Sequence, residues 1–242
     1  MTQNGNIILE TRGVSCSKVD GAEPLSPVIG VSLSVHEKTL NLLTGGGQDG
    51  GNLLLRLLGL LETPDVGAVY FHGQATGRLA DEARADLRSQ HYGFLFAQPF
   101  LLPSFSVIEN VAMPLFKISG VSAAEAQRRT EAMLEFVGIG NHAETAVGQL
   151  SFPEQQRVSL ARALVNQPDI LIVENVDAEL SGGALFDFME IIRRAASAFG
   201  TAAILTTKDR ELAKFADRVV ELACGAVFRD SQTAVKEGGA AV

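Results

Sequence analysis

The sequence predicts an α/β fold built on a parallel, doubly wound sheet. Compact apolar runs at Thr39–Thr44, Asp169–Val173 and Ala202–Thr206 have the length of strands. They are apolar throughout rather than alternating, as strands covered on both faces of a parallel sheet are. Helical stretches separate them, which implies crossover connections on the two faces. A glycine-rich turn, Gly45-Gly46-Gly47-Gln48-Asp49-Gly50-Gly51, joins the first run to a leucine-rich helix.

In chain order, the N-terminus turns from polar to strand-like by Arg12, and 28–35 alternates as a half-buried strand does. Leucines crowd between Leu53 and Leu61, as in a buried helix. After Thr63-Pro64-Asp65 two short strands with glycine turns are expected in Gly67–Gln74, then a helix over 81–90 and a strand over 92–97. The stretch 106–165 is mostly helical, with helices near 106–117, 122–137 and 153–166, and reads as an insertion into the sheet domain. Beyond the strand at Asp169–Val173, a helix at Ala184–Phe199, a strand at Ala202–Thr206, a helix at 209–215 and a strand at Arg218–Leu222 complete the pattern. One domain over 1–230 is expected, followed by a loosely ordered Gly/Ala-rich tail, 231–242.

At 242 residues the chain can bury a sizeable core. No apolar run approaches the roughly 18 residues needed to span a bilayer, and the N-terminus lacks a basic leader, so a cytoplasmic protein is expected. The net charge of −8 argues against a nucleic-acid partner, which needs a basic patch. Cys16 and Cys224 are far apart without metal-ligand spacing and read as reduced thiols.

Strand, glycine loop and helix together form the layout of a phosphate-binding βα unit. Taken alone, Gly45 to Gly51 reads more readily as an ordinary flexible turn joining a strand to a helix. Four stretches in order settle the matter: LLTGGGQDGGNLLLRLLGLLETPDVGAVYFHGQ, YGFLFAQPFLLPSFSVIENVAMPL, QLSFPEQQRVSLARALVNQPDILIVENVD and LTTKDRELAKFADRVVEL. They make the chain resemble the ABC ATPases from about Ile7 to Arg229, within them the lipoprotein-releasing and macrolide-export type. The resemblance implies a P-loop, RecA-like core with an ABC β-subdomain and a helical subdomain inserted at about 98–165. Its family cofactors are ATP and Mg²⁺, and its partners are a transmembrane permease and a second ATPase subunit in a homodimer or heterodimer. It also implies a peripheral position on the cytoplasmic face of the membrane.

The framework matches this family, but the residues that would carry its chemistry do not. A working phosphate loop reads G-x-x-x-x-G-K-[ST], with backbone amides around the phosphates, Lys on them and the hydroxyl on Mg²⁺. Here Gly45, Gly47 and Gly50 keep the backbone, but Gly51 takes the lysine position, Asn52 the hydroxyl and magnesium position, and Leu53 the next. Asp49 adds a negative charge inside the loop. Val19 falls where an aromatic would stack on adenine. At the strand end, Glu174 takes the magnesium position and Asn175 that of the general base, which an amide cannot serve. Ser181 stands where the family has a loop aspartate. Ala97 aligns with the family glutamine, and Gln98, one place on, could substitute through a one-residue slip. Lys208 replaces the switch histidine and is a donor only.

The signature L-S-G-G-[QE] becomes Leu150-Ser151-Phe152-Pro153-Glu154. Pro153 has no N–H to offer a phosphate, and Phe152 is expected to add bulk at the partner-facing tip. Ser151 and Glu154 still have capping-box spacing, so the helix start is retained. Phe100, Leu101, Leu102 and Phe105, with 111–115, match the surface that receives the permease. Three readings are open: a pseudo-ATPase scaffold or regulator that binds no nucleotide tightly, an ATPase in which Glu174, Lys208 and Gln98 take new roles, or an interaction module outside transport.

Overall fold

The computed structural model describes residues 6–17, 26–45, 49–117 and 121–231. Val19, Gly46, Gly47, Gln48 and the tail from residue 232 lie outside them. Two sheets form the framework. Strands β1 (Ile7–Cys16), β2 (Val28–His36), β4 (Val66–Phe71) and β5 (Gln74–Ala75) make an antiparallel sheet in the order β2-β1-β4-β5. Strands β3 (Leu40–Thr44), β6 (Tyr92–Leu95), β7 (Ile170–Val173), β8 (Ala202–Thr207), β9 (Arg218–Ala223) and β10 (Ala226–Asp230) make the second, ordered β10-β9-β3-β8-β7-β6. All its pairings are parallel except β9–β10.

The apolar strands feed two cores by alternation. Leu40, Leu42, Leu171, Val173, Ala203 and Leu205 join the helical insertion on one face. Leu43, Ile170, Ile172, Ala202 and Ile204 join the antiparallel sheet and α1 (Gly51–Leu58) on the other. In α1, Leu53, Leu54, Leu55, Leu57 and Leu58 are all buried, as a helix that is apolar almost all round must be. Arg218, buried in the second sheet, pairs with Asp230 (2.9 Å from Nε to Oδ1) and donates to the Ser34 carbonyl at 2.5 Å, tying β9 and β10 to β2.

Between β6 and β7 lie α3 (Val107–Ala112), α4 (Ala123–Val137) and α5 (Phe152–Leu164), preceded along the chain by α2 (Asp81–His91); α6 (Gly182–Phe199) comes after β7. The single helix expected over 106–117 stops at Ala112 and continues as a 3-10 turn, Met113–Lys117, because Pro114 lacks the N–H a helix needs. The helix expected at 209–215 is likewise a 3-10 turn, Arg210–Phe215, started by Asp209 accepting from the Glu211 amide at 2.8 Å. Strand β10 has no counterpart among the expected elements. Its cue is Cys224-Gly225, a two-residue turn with φ of 49° and 82°, the left-handed pair that tight hairpins demand. Among the described residues no helix is long and apolar enough to cross a membrane, and both cysteines are free.

Candidate functional site

The carboxyl ends of β3, β7 and β8 converge, which is where open parallel sheets place ligands. Gly45, Gly51, Asn52, Asn175, Thr206 and Lys208 border one cleft there, of only about 20 Å³, enough for a water. A second cavity of about 360 Å³ lies beside it, toward β9 and β10, against Asp49, Lys208, Glu221 and Phe228.

The tip of α1 is held by packing. Gly50 is left-handed at φ 83°, and its carbonyl accepts the Leu54 amide at 2.9 Å. A Cβ there would sit 2.6 Å from the Pro27 carbonyl oxygen, so only glycine fits. Among the described residues no side chain caps this tip, and no acidic residue lies in its first turn. A Cβ on Gly45 would stand 3.0 Å from Asp49 Cβ and 3.3 Å from its Oδ2, which places that carboxylate over the first glycine of the loop.

The strand-end pair is fixed by the neighbouring loop. The Asn175 amide donates to Thr206 Oγ1 at 2.9 Å, and Asn175 is left-handed at φ 47°, a conformation asparagine tolerates better than glutamate. Glu174 is half-buried; desolvation holds its carboxyl above the ordinary glutamate range, and the Arg56 charge partly opposes this. Arg56 itself pairs with Glu62 at 2.8 Å. Asp177, which sequence reasoning missed, accepts the amides of Lys208 and Asp209 at 3.0 and 3.1 Å and so shapes the turn that carries Lys208.

The start of α5 is closed by its own side chains. Ser151 donates to Glu154 Oε2 through both its amide (2.8 Å) and its hydroxyl (2.6 Å). Those bonds hold the Glu154 carboxyl below the usual range. Pro153 comes next to Phe152 in the first turn. Phe152, the first helical residue, is half-buried, with part of its ring packed against the core.

Between β6 and α5 runs a groove of about 980 Å³ with Tyr92, Phe94, Phe96, Met113, Pro114 and Arg162 along it. Ala97, next after Phe96 in the chain, accepts through its carbonyl from Gln156 Nε2 at 2.6 Å, while Gln98 is exposed. Arg162 donates to the Pro99 and Phe100 carbonyls, both at 2.8 Å. These bonds hold a turn in which Phe100 is left-handed (φ 45°) and 69% exposed. Leu102 and Phe105 are exposed as well, whereas Leu101 is half-buried and packs in part against the core.

The family model described as ABC transporter matches residues 28–177. This chain belongs to the ABC transporter family. Curated relatives of this ABC protein include the lipoprotein-releasing system ATP-binding proteins LolD of Shewanella frigidimarina, 34% identical over 93% of this chain and 94% of that one, and LolD 2 of Caulobacter vibrioides, 36% identical over 90% and 95%. Among solved structures, the dimeric post-hydrolysis state of the ATP-binding cassette MJ0796 bound to ADP and Pi superposes with a TM-score of 0.82 at 28% identity, over 93% of this chain and 98% of that one. The CbiO1 cassette of Clostridium perfringens matches in fold alone, at 21% identity, a TM-score of 0.84 and 96% and 91% coverage. The chain thus has the ABC cassette fold and is an ABC transporter nucleotide-binding subunit of LolD-like type.

Within this ABC fold the expected loop, strand-end and switch residues come together: Gly45, Gly51, Asn52, Asn175 and Lys208 share one cleft, with Glu174 adjoining in sequence. The α5 tip residues and Gln98 do not line it. Arg162 and Asp177 had no sequence cue, since their roles rest on backbone groups distant along the chain.

Proposed function

We propose that this subunit is a pseudo-ATPase: it docks on a membrane permease at the cytoplasmic face, as scaffold or regulator of transport, and does not run the ATP cycle. The observation that carries the reading is Gly51 as the first residue of α1, a helix tip with no side chain where the family pattern supplies a lysine. The other residues around that tip also fit magnesium and a triphosphate poorly. Asp49 brings a carboxylate to the loop, and Glu174 sits where burial disfavours its charged form. Asn175 has no basic site to take a proton from water. The opposite half-site is altered as well: the Ser151 amide and hydroxyl are both spent on Glu154, and Pro153 has no amide to give. On this reading, pairing with a competent subunit, in place of a second copy, leaves both composite sites impaired.

Equilibrium binding to the purified protein tests this. At millimolar Mg·ATP no measurable occupancy is expected, and tight magnesium-dependent binding would overturn the proposal. One observation favours a second reading, an ATPase with a rearranged site: Lys208 borders the same cleft as Gly51 and could supply the missing cation. That reading requires ATP binding that disappears in Lys208→Ala.

A further inference from the structure

The turn after β6 carries a strained, exposed aromatic ring that side chains of α5 keep in place. Phe100 is left-handed at φ 45°, a conformation that bulky side chains rarely adopt, and it is 69% exposed between buried Pro99 and half-buried Leu101. Strain and exposure both favour leaving this position. Four hydrogen bonds from α5 oppose them. Arg162 Nη1 donates to the Phe100 carbonyl and Nη2 to that of Pro99, both at 2.8 Å. Ser159 Oγ donates to the Pro99 carbonyl at 3.3 Å, and Gln156 Nε2 to the Ala97 carbonyl at 2.6 Å. The two from Arg162 are charge-assisted and therefore the strongest. Beyond the turn, the Leu102 amide donates to Asn110 Oδ1 at 2.8 Å, and Asn110 Nδ2 donates to the Leu102 carbonyl at 3.1 Å. The chain is thus fixed on both sides, which confines movement to 98–101.

A second place for the ring lies beside the first. Phe100 meets Phe96 edge-on at 5.8 Å, and Phe96 is stacked on Phe94 at 6.0 Å. Both of these rings lie, with Met113 and Pro114, along the groove of about 980 Å³ between β6 and α5. Return of φ to the ordinary negative region swings the Cα–Cβ bond of Phe100 by roughly 100° or more.

We propose that Arg162 is a latch: while it holds the Phe100 carbonyl the groove stays open, and on its release the Phe100 ring closes over Phe96 and the groove. One movement then relieves the backbone strain and covers apolar surface. The device is autoinhibitory, since the closed ring occupies surface that a partner would use. That consequence rests on the permease-docking reading, whereas the latch itself does not.

The chain contains no tryptophan, so Phe100→Trp installs a lone fluorescent reporter at the ring itself. With Arg162 present, the reporter is expected to emit at long wavelength and to be quenched by acrylamide as an exposed indole is. Acrylamide is neutral, so removing a charge does not by itself alter its access. Adding Arg162→Gln should move the emission to shorter wavelength and lower the quenching constant about threefold, as the closed position becomes the major one. Circular dichroism and thermal melting check that each variant is folded. Should the Arg162→Gln variant not fold, Gln156→Ala with Ser159→Ala loosens the same turn and leaves the guanidinium in place; a smaller shift in the same direction is expected. Equal and full quenching with and without the latch residues overturns the proposal, and so does a reporter already shielded when Arg162 is present. Both of those results leave the docking reading standing, which failure of a permease to co-purify with the protein would remove on its own.

Discussion

Two helix tips in this molecule stand at sequence positions where the ABC family pattern has its phosphate loop and its signature, and they are built on opposite plans. The start of α5 is closed: Ser151 and Glu154 satisfy one another, and Pro153 adds rigidity without an amide. The start of α1 is open, with a left-handed Gly50, no side-chain cap among the described residues and no acidic residue in the first turn. The open tip holds its place because five buried leucines anchor the helix and the Gly50 backbone packs against Pro27 and Gly225. The difference teaches that capping and burial are interchangeable ways to fix a helix. It also shows how α1 keeps its place with no side chain at Gly51: the anchoring leucines, from Leu53 on, lie along the body of the helix.

The most severe way to break this comparison is to refill the open tip. Gly51→Lys with Asn52→Thr places a cation and a hydroxyl at the tip of α1, next to the left-handed Gly50. A charge pair near 4 Å at an effective dielectric of 20 is worth about 4 kcal/mol, so ATP affinity is expected to rise on the order of a thousandfold over the parent. Isothermal titration with Mg·ATP reads the gain. An unchanged double variant would mean that the loop around Asp49 cannot open to a triphosphate.

Next in size is the anchor itself. Leu54→Ala removes a fully buried side chain from α1 and should destabilise the protein by about 3 kcal/mol, a fall of roughly 10 °C in melting temperature for a chain of this length. A loss under about 1 kcal/mol would show that packing does not hold the uncapped tip. At the closed tip, Ser151→Ala should cost about 1 kcal/mol, a typical capping loss. That interaction also carries a pH signature. The folded-state pKa of Glu154 is lowered, first by the Ser151 hydroxyl and then by its amide. Its contribution is therefore complete above the ordinary glutamate value of 4.5 and fades as pH falls through the lowered value. Urea melts at pH 6 and pH 3 should show the Ser151→Ala penalty shrinking in acid.

How much of the molecule is legible in its sequence depends on where each feature is encoded. The buried strands are readable because double-sided burial leaves unbroken apolar runs, as in Ile170–Val173, and α1 because leucines fill nearly all its faces. The capping box of α5 is readable from two residues three apart. Strand β10 escapes because it is largely exposed, its apolar stretch is only Ala226-Val227-Phe228, and its hairpin turn is marked by a single glycine. In the candidate site, the bordering of one cleft by Gly51, Asn175 and Lys208 accords with family order. The clamp of Arg162 on the Phe100 turn does not, because a side chain bonding backbone carbonyls far along the chain leaves no pattern in residue types. The half-burial of Phe152 is hidden for the same reason: its surroundings come from other elements.

The smallest expected effect sharpens the contrast between the two regions, since Glu174 and Glu154 have opposite electrostatic signs. Glu154 is stabilised as an anion, whereas Glu174 is half-buried and desolvated, with Arg56 partly committed elsewhere to Glu62. A raised folded-state pKa means that the ionised carboxylate costs stability at neutral pH and that the cost is relieved as pH falls through that raised value, the reverse of Glu154. Glu174→Gln removes the charge and keeps the shape. It should therefore raise stability slightly at pH 7, by on the order of half a kcal/mol after discounting for partial exposure, or about 1–2 °C. The gain should vanish in acid, where the native residue is itself protonated. In a working magnesium site the same substitution forfeits a metal contact, and Mg·ATP would protect the native protein more than the variant in a thermal melt. An equal response of both to Mg·ATP is what a strand end carrying an unneutralised, surplus charge requires.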